Sequence, residues 1–103
     1  MKKQSTAEKT EEQAALFKAL SDPTRLKLVH ILCHYSQSPG LCVNALAEML
    51  GVTQSAVSQH LRILKNVGLV SGIRQGYHVH YAVDFDAVKR FHEVALGINK
   101  EEQ

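Results

Sequence analysis

The chain has no tryptophan, only two cysteines and two prolines, and no apolar run near the ~18 residues that a membrane-crossing helix needs. Two thiols cannot build a disulfide framework, so the expectation is a cytoplasmic protein with reduced cysteines and no membrane segment. The start, MKKQSTAEK, is polar throughout and reads as a disordered arm over residues 1–7 rather than as an address. Acidic residues are missing from one place in particular: no Asp or Glu occurs between Met49 and Val83. A solvated surface ordinarily mixes both signs, and a stretch without negative charge has nothing to repel a phosphate backbone. Catalysis also lacks its usual parts. The histidines are scattered, with no nucleophile beside a positioned base and no paired carboxylates, so the chain is not read as an enzyme and no cofactor is expected.

What is present fits one small domain. The 103 residues are 45% hydrophobic and 21% charged, an ordinary globular balance. A chain this short buries only about two thirds of its surface, and oligomerisation often supplies the rest. Net charge is +2, but its distribution is uneven. Residues 1–23 carry four basic and four acidic groups, 24–83 five and one, and 84–103 three and five, giving 0, +4 and −2.

The acid-free stretch contains TQSAVSQHLRILKN, residues 53–66. Ala56, Val57, Leu61, Ile63 and Leu64 cluster toward one side of a helix, whereas Gln54, Ser55, Ser58, Gln59 and Arg62 project from the other. Thr53 suits the N-cap, and Asn66-Val67-Gly68 supplies a helix end. Before it, residues 43–50 form a shorter amphipathic helix with Leu46, Ala47 and Leu50 inward, and Gly51-Val52 turns the chain. Two short helices across a tight glycine turn, the second polar at its N-terminal end, make a helix-turn-helix pattern.

Taken in order, a first helix over about residues 8–20 carries the stripe Ala15, Leu16, Ala19 and Leu20, with Phe17 beside it. Asp22 caps a second helix, Pro23 takes its first position, and it runs to His34 or Tyr35 with Leu26, Val29, Leu32 and Cys33 inward. Ser36 to Gly40 is a loop by composition. After Gly68 the pattern alternates. Residues 69–74 and 77–83 read as two strands around a Gln75-Gly76 turn, with Val79, Tyr81 and Val83 on one face and His78, His80 and Ala82 on the other. Asp84 or Asp86 then caps a last helix to about residue 99, with the stripe Val88, Phe91, Ala95 and Ile98. That stripe has no remaining partner in so small a fold, and with the first helix it is the candidate dimer surface. The expected class is mainly α with a small β-hairpin, a winged helix-turn-helix of order α-α-α-α-β-β-α over residues 8–99, homodimeric, with a tail at 100–103.

The runs ALSDPTRLKLVHIL, LAEMLGVTQSAVSQHLRILKNVGLV and RQGYHVHYAV resemble the ArsR/SmtB family of bacterial winged-helix repressors, and the likeness covers nearly the whole chain. It implies a homodimer joined through its terminal helices that sits on a near-palindromic operator and is released by an inducer. By the family pattern Gln54, Ser55, Ser58, Gln59 and His60 face the groove, and the wing spans Arg74, Gln75 and on to His78. Thr53, Arg62 and Lys65 complete the expected DNA-binding set, the basic residues being nearer phosphates. The family's soft-metal type carries Cys-Val-Cys at the start of the third helix, where this chain has Cys42-Val43-Asn44. Its zinc type carries an Asp and a His at the start of the last helix and further donors near its end, where this chain has Phe85, Ala87, Ile98 and Glu101. No metal site is expected, and the inducer is unidentified.

Other constellations have plain readings beside the pointed ones. His30 and His34 are spaced as a chelating pair but also as a solvated pair over a packed Cys33, and His78 with His80 can be ligands or simply wing residues. Cys33 resembles the second-helix thiol of the family's dithiol sensors, whose partner lies in the last helix. Residues 84–103 have no cysteine, which leaves a Cys33 to Cys42 thiol switch against two unpaired thiols. A winged helix can also serve as a protein-interaction module without specific DNA binding. The Gln, Ser, His and Arg content of residues 53–66 favours DNA instead, because these groups pair with base edges and phosphates.

Overall fold

The structure, a computed structural model, describes residues 6–35 and 40–95. The tail at 100–103, most of the arm at 1–7, and the expected positions of Ile98 and Glu101 lie outside these residues. Helix α1 spans Thr6–Leu20, beginning two residues before the expected start, and α2 spans Pro23–His34. A two-residue strand β1, Leu41–Cys42, leads into α3, Val43–Leu50, and α4 is Gln54–Asn66. Strands β2, Val70–Gln75, and β3, His78–Val83, form the wing, and α5 is Phe85–Ala95.

The ends of these helices follow from local chemistry. Asp22 caps α2, its Oδ1 accepting from the backbone N–H of Thr24 at 2.8 Å and of Arg25 at 3.0 Å, with Pro23 in the position that has no N–H to satisfy. Asp84 caps α5 in the same way, accepting from the Ala87 N–H at 3.1 Å. Helices α3 and α4 both close on a left-handed glycine, Gly51 at φ 68° and Gly68 at φ 80°. In each case the next residue reaches back to the last turn: Val52 N–H to Ala47 O at 3.2 Å, Leu69 N–H to Leu64 O at 3.0 Å. An L side chain at either glycine would hold that backbone under strain.

One core joins the elements. Leu28, Val29 and Leu32 of α2 meet Leu46 and Ala47 of α3, Val57, Leu61 and Leu64 of α4, and Leu69, Val70, Val83 and Ala87. The inner face of α2 differs from its sequence reading. Leu26 is 39% exposed and Leu28 is fully buried, because the helix turns its 28-29-32 line to the core and leaves Leu26 at the edge. On α4, Ile63 is 39% exposed. The buried line Val57, Leu61, Leu64 runs at i, i+4, i+7, and Ile63 falls outside it.

The sheet is antiparallel with order β1-β3-β2, so the expected hairpin gains a third, outer strand. Leu41 pairs with Tyr81 and Cys42 with His80. Two residues are too few to show an alternation, which is why β1 leaves no sign in the sequence. The wing turn is Gly76-Tyr77, one residue later than expected, closed by the Gln75 to His78 pair. Tyr81 and Val79 lie over Gly72, and the rings of His78 and His80 stand 6.4 Å apart, so the two faces of β3 are divided as the alternation implies. Phe17 of α1 and Phe91 of α5 pack with ring centroids 5.0 Å apart and ring planes tilted by 58°, which brings the first and last helices together.

The Asp22 carboxyl is held below its usual range, chiefly by the Arg25 backbone N–H and then by that of Thr24, with the charges of Arg25 and His60 adding and partial burial opposing. A depressed pKa stabilises the fold above the unfolded value near ~4, and this is lost as the pH falls through the folded value. Asp22→Ala should therefore lower the melting temperature at pH 7 and narrow its gap from the wild type as the pH is taken below ~4. Thermal melts of both proteins across that range check this, and a gap that persists in acid would contradict it.

Candidate nucleic-acid interface

Helix α4 is gripped on one side only. Thr53 starts it by accepting from the Ala56 N–H at 3.1 Å, and Val57, Leu61 and Leu64 sink into the core. The side chains of Thr53, Gln54, Ser55, Ser58, Gln59, Arg62 and Lys65 are all exposed. Donors, acceptors and two cations therefore share one solvent-facing side, with no carboxylate on the helix. Besides the Thr53 cap, Gln54 is engaged across the helix pair: its Nε2 donates to Asn44 Oδ1 of α3 at 3.1 Å.

His60 stands apart from this set. It is half-buried, and its Nδ1 lies 3.3 Å from Nη1 of Arg25. The same guanidinium donates from Nε to Ala19 O at 2.6 Å and from Nη2 to Lys18 O at 3.5 Å. Arg25 thus donates to carbonyls at the end of α1, of which Lys18 O also accepts from Ser21, at the place where the helix dipole favours a cation, while reaching across to α4. Sequence reasoning gave Arg25 no role and met Asn44 only as the residue standing in place of a second thiol. A cation one turn into α2, just past the end of α1, was a usable signal for Arg25. Nothing in the sequence marked Asn44, whose role comes only from the crossing of α3 and α4.

The wing follows directly from α4 through Leu69, whose burial anchors the start of β2. At its far end Arg74, Gln75, Tyr77 and His78 are exposed, Tyr77 completely. His80 is half-buried, and its Nδ1 has no partner.

The family described as bacterial regulatory protein, arsR family, matches residues 22–71, which run from the cap of α2 to the start of the wing. The HTH-type transcriptional regulator YgaV of Escherichia coli K12 is 40% identical over 78 residues, covering 76% of this chain and 76% of that protein. The chain belongs to the ArsR family. A cadmium resistance transcriptional regulatory protein CadC homolog of Staphylococcus aureus is 39% identical over 83 residues, 81% of this chain and 66% of that protein. Among solved structures, the homodimeric winged helix-turn-helix DNA-binding domain Mb0332 of Mycobacterium bovis, a possible ArsR-family regulator, aligns with TM-score 0.74 at 28% identity, covering 93% of this chain and 88% of that one. This ArsR-family chain is accordingly a transcriptional regulator with a winged helix-turn-helix fold, and its relatives are regulators rather than enzymes.

Among the described residues no group of three or more His, Cys, Asp or Glu is placed to hold a metal ion. Cys42 precedes α3 without a second thiol, and Phe85 and Ala87 offer no donor at the start of α5. His30 and His34 are exposed on the outer side of α2, with Cys33 half-buried beneath. Both cysteines are free, and burial pushes the Cys33 thiol up from its ordinary value, the reverse of what an activated attacking thiol requires. A Cys33 to Cys42 switch would then have to begin at Cys42. Alkylation at pH 7 followed by peptide mass mapping should show Cys33 reacting slowly, its rate still rising with pH past the usual thiol range near ~8.5. Rapid labelling of Cys33 at pH 7 would contradict the raised thiol.

Proposed function

We propose that this ArsR-family protein is a cytoplasmic repressor that binds a near-palindromic operator as a homodimer and leaves it when an inducer binds. The observation that carries the DNA reading is the solvent-facing side of α4, where amides, hydroxyls and cations are exposed without a carboxylate between Met49 and Val83. In a helix-turn-helix the N-terminal residues of the second helix meet base edges, and two such helices in a symmetric dimer reach half-sites about one helical turn apart. Gln54, Ser58 and Gln59 are assigned to base edges, and Arg62, Lys65 and Arg74 to phosphates, with Thr53, Ser55, Gln75 and His78 at the margin. His60, turned to Arg25, serves to set the helix rather than to read bases.

The dimer reading is supported by the Phe17–Phe91 contact, which joins α1 to α5 while leaving Phe17 45% exposed, and by the homodimeric state named for Mb0332. An apolar surface of this kind is suited to a self-complementary interface. Phe17→Glu should shift the protein toward monomer in sedimentation, and an unchanged dimer would move the interface elsewhere.

Selection from a randomised duplex library tests the DNA reading, with an interaction module as the outcome if no sequence is enriched. Given an enriched site, Gln59→Ala should cost about 1–3 kcal/mol and relax preference at one position per half-site. Arg74→Ala should weaken all sequences alike and reduce the salt slope by about 1. Equal effects of both changes on selected and random DNA would overturn these roles.

A further inference from the structure

Gln54 is the first residue of α4 and Asn44 the second of α3, and both are exposed. Their contact, Gln54 Nε2 to Asn44 Oδ1 at 3.1 Å, adds little to stability, because exposed amides exchange one another for water at small net gain. What it does alter is orientation. A free glutamine amide presents its oxygen and nitrogen interchangeably by a half-turn of its last torsion, and it loses that freedom only on binding. With Asn44 Oδ1 facing it, Gln54 can bond only through its nitrogen end, and the one other bonded arrangement needs both amides to turn over together, so the two orientations are coupled. The Gln54 Oε1 is thereby directed away from α3, one Nε2–H stays free, and Asn44 keeps both Nδ2 hydrogens for another acceptor.

The geometry points to Asn44 as a specificity-determining residue that works through Gln54, the two amides acting as one preoriented reader of a single base pair in each half-site. This rests on the DNA-binding reading above. A glutamine offering an oxygen together with an N–H matches the N6 and N7 edge of adenine in the major groove. The pair therefore selects adenine at that position, while the Asn44 Nδ2 group is left for a neighbouring base acceptor or a phosphate oxygen. No core contact is involved, so the effect of Asn44 is separable from folding.

The test is selection from a randomised duplex library with the full chain, followed by affinities on the selected site and its single-base variants. The proteins are wild type, Asn44→Ala, Asn44→Asp, Gln54→Ala and the double alanine variant, with melting temperatures as a control for folding. Asn44→Ala should melt as the wild type does and lose about tenfold of its preference at the position that Gln54→Ala also relaxes. The double variant should discriminate no worse than Gln54→Ala, since the two residues form one element. Asn44→Asp retains the acceptor, so it should keep the base preference while binding every sequence more weakly through its added negative charge. Asn44→Ala with wild-type preference, effects of Asn44 and Gln54 that simply add, or loss of preference in Asn44→Asp would overturn the assignment while leaving the DNA reading intact. A wild type that enriches no sequence would overturn both.

Discussion

Helix α4 must be held rigidly on one side without any of its other side being used for the holding. Three side chains at i, i+4 and i+7, Val57, Leu61 and Leu64, achieve most of this by burial, at about 1.5–3 kcal/mol each for aliphatic side chains of this size. Close packing of such a face already opposes sliding and rolling. Arg25 adds a directional contact, since its guanidinium is held by Ala19 O and Lys18 O at the end of α1 and meets His60 on α4. The planar fork of an arginine binds in few orientations, so α1, α2 and α4 are referred to one point. Asp22 places the backbone of Arg25 by capping the same turn.

With α4 so placed, electrostatics divides the chain. The carboxylates nearest the acid-free stretch are Glu48 on α3 and Asp84 at its far end, and the latter is occupied in capping α5. Positive charge is thin even so, with Arg62, Lys65 and Arg74 the lysines and arginines between Met49 and Val83. On the proposed DNA reading, a surface with so few cations gains modestly from counterion release, which leaves discrimination to neutral hydrogen-bonding groups. That is the composition of the exposed side of α4, where glutamines and serines outnumber charges.

The sequence disclosed most of this because its signals were local. Caps at Asp22, Thr53 and Asp84, glycine stops at Gly51 and Gly68, and the period-two pattern of the wing each operate over a few residues, and the helix borders follow them. What escaped needed three-dimensional information. Leu26 and Leu28 are equally apolar, and only the packing of α2 on α3 and α4 decides which is buried. Ile63 extends an apolar cluster in the sequence but points off the core line. Strand β1 exists because β3 offers it an edge. For the site, exposure of the polar residues was legible from the opposite apolar line, whereas the turning of His60 toward Arg25 and the coupling of Gln54 to Asn44 depend on which helices cross.

The same reasoning applies to the described positions at which the family resemblance implies metal donors. Soft ions gain affinity from several sulfurs acting together, and the position that would supply a second thiol beside Cys42 is Asn44, whose oxygen is engaged by Gln54. At the start of α5 the departure is deeper. Ala87 is 5% exposed and belongs to the core with Val83 and Leu69, so a larger polar ligand there would have to displace packed atoms and bury an unpaired group, at a cost of ~1–3 kcal/mol for the group alone. Phe85, in the same first turn, is exposed and apolar. The beginning of α5 is thus committed to packing, and a metal donor at Ala87 would be opposed by the core that holds α4.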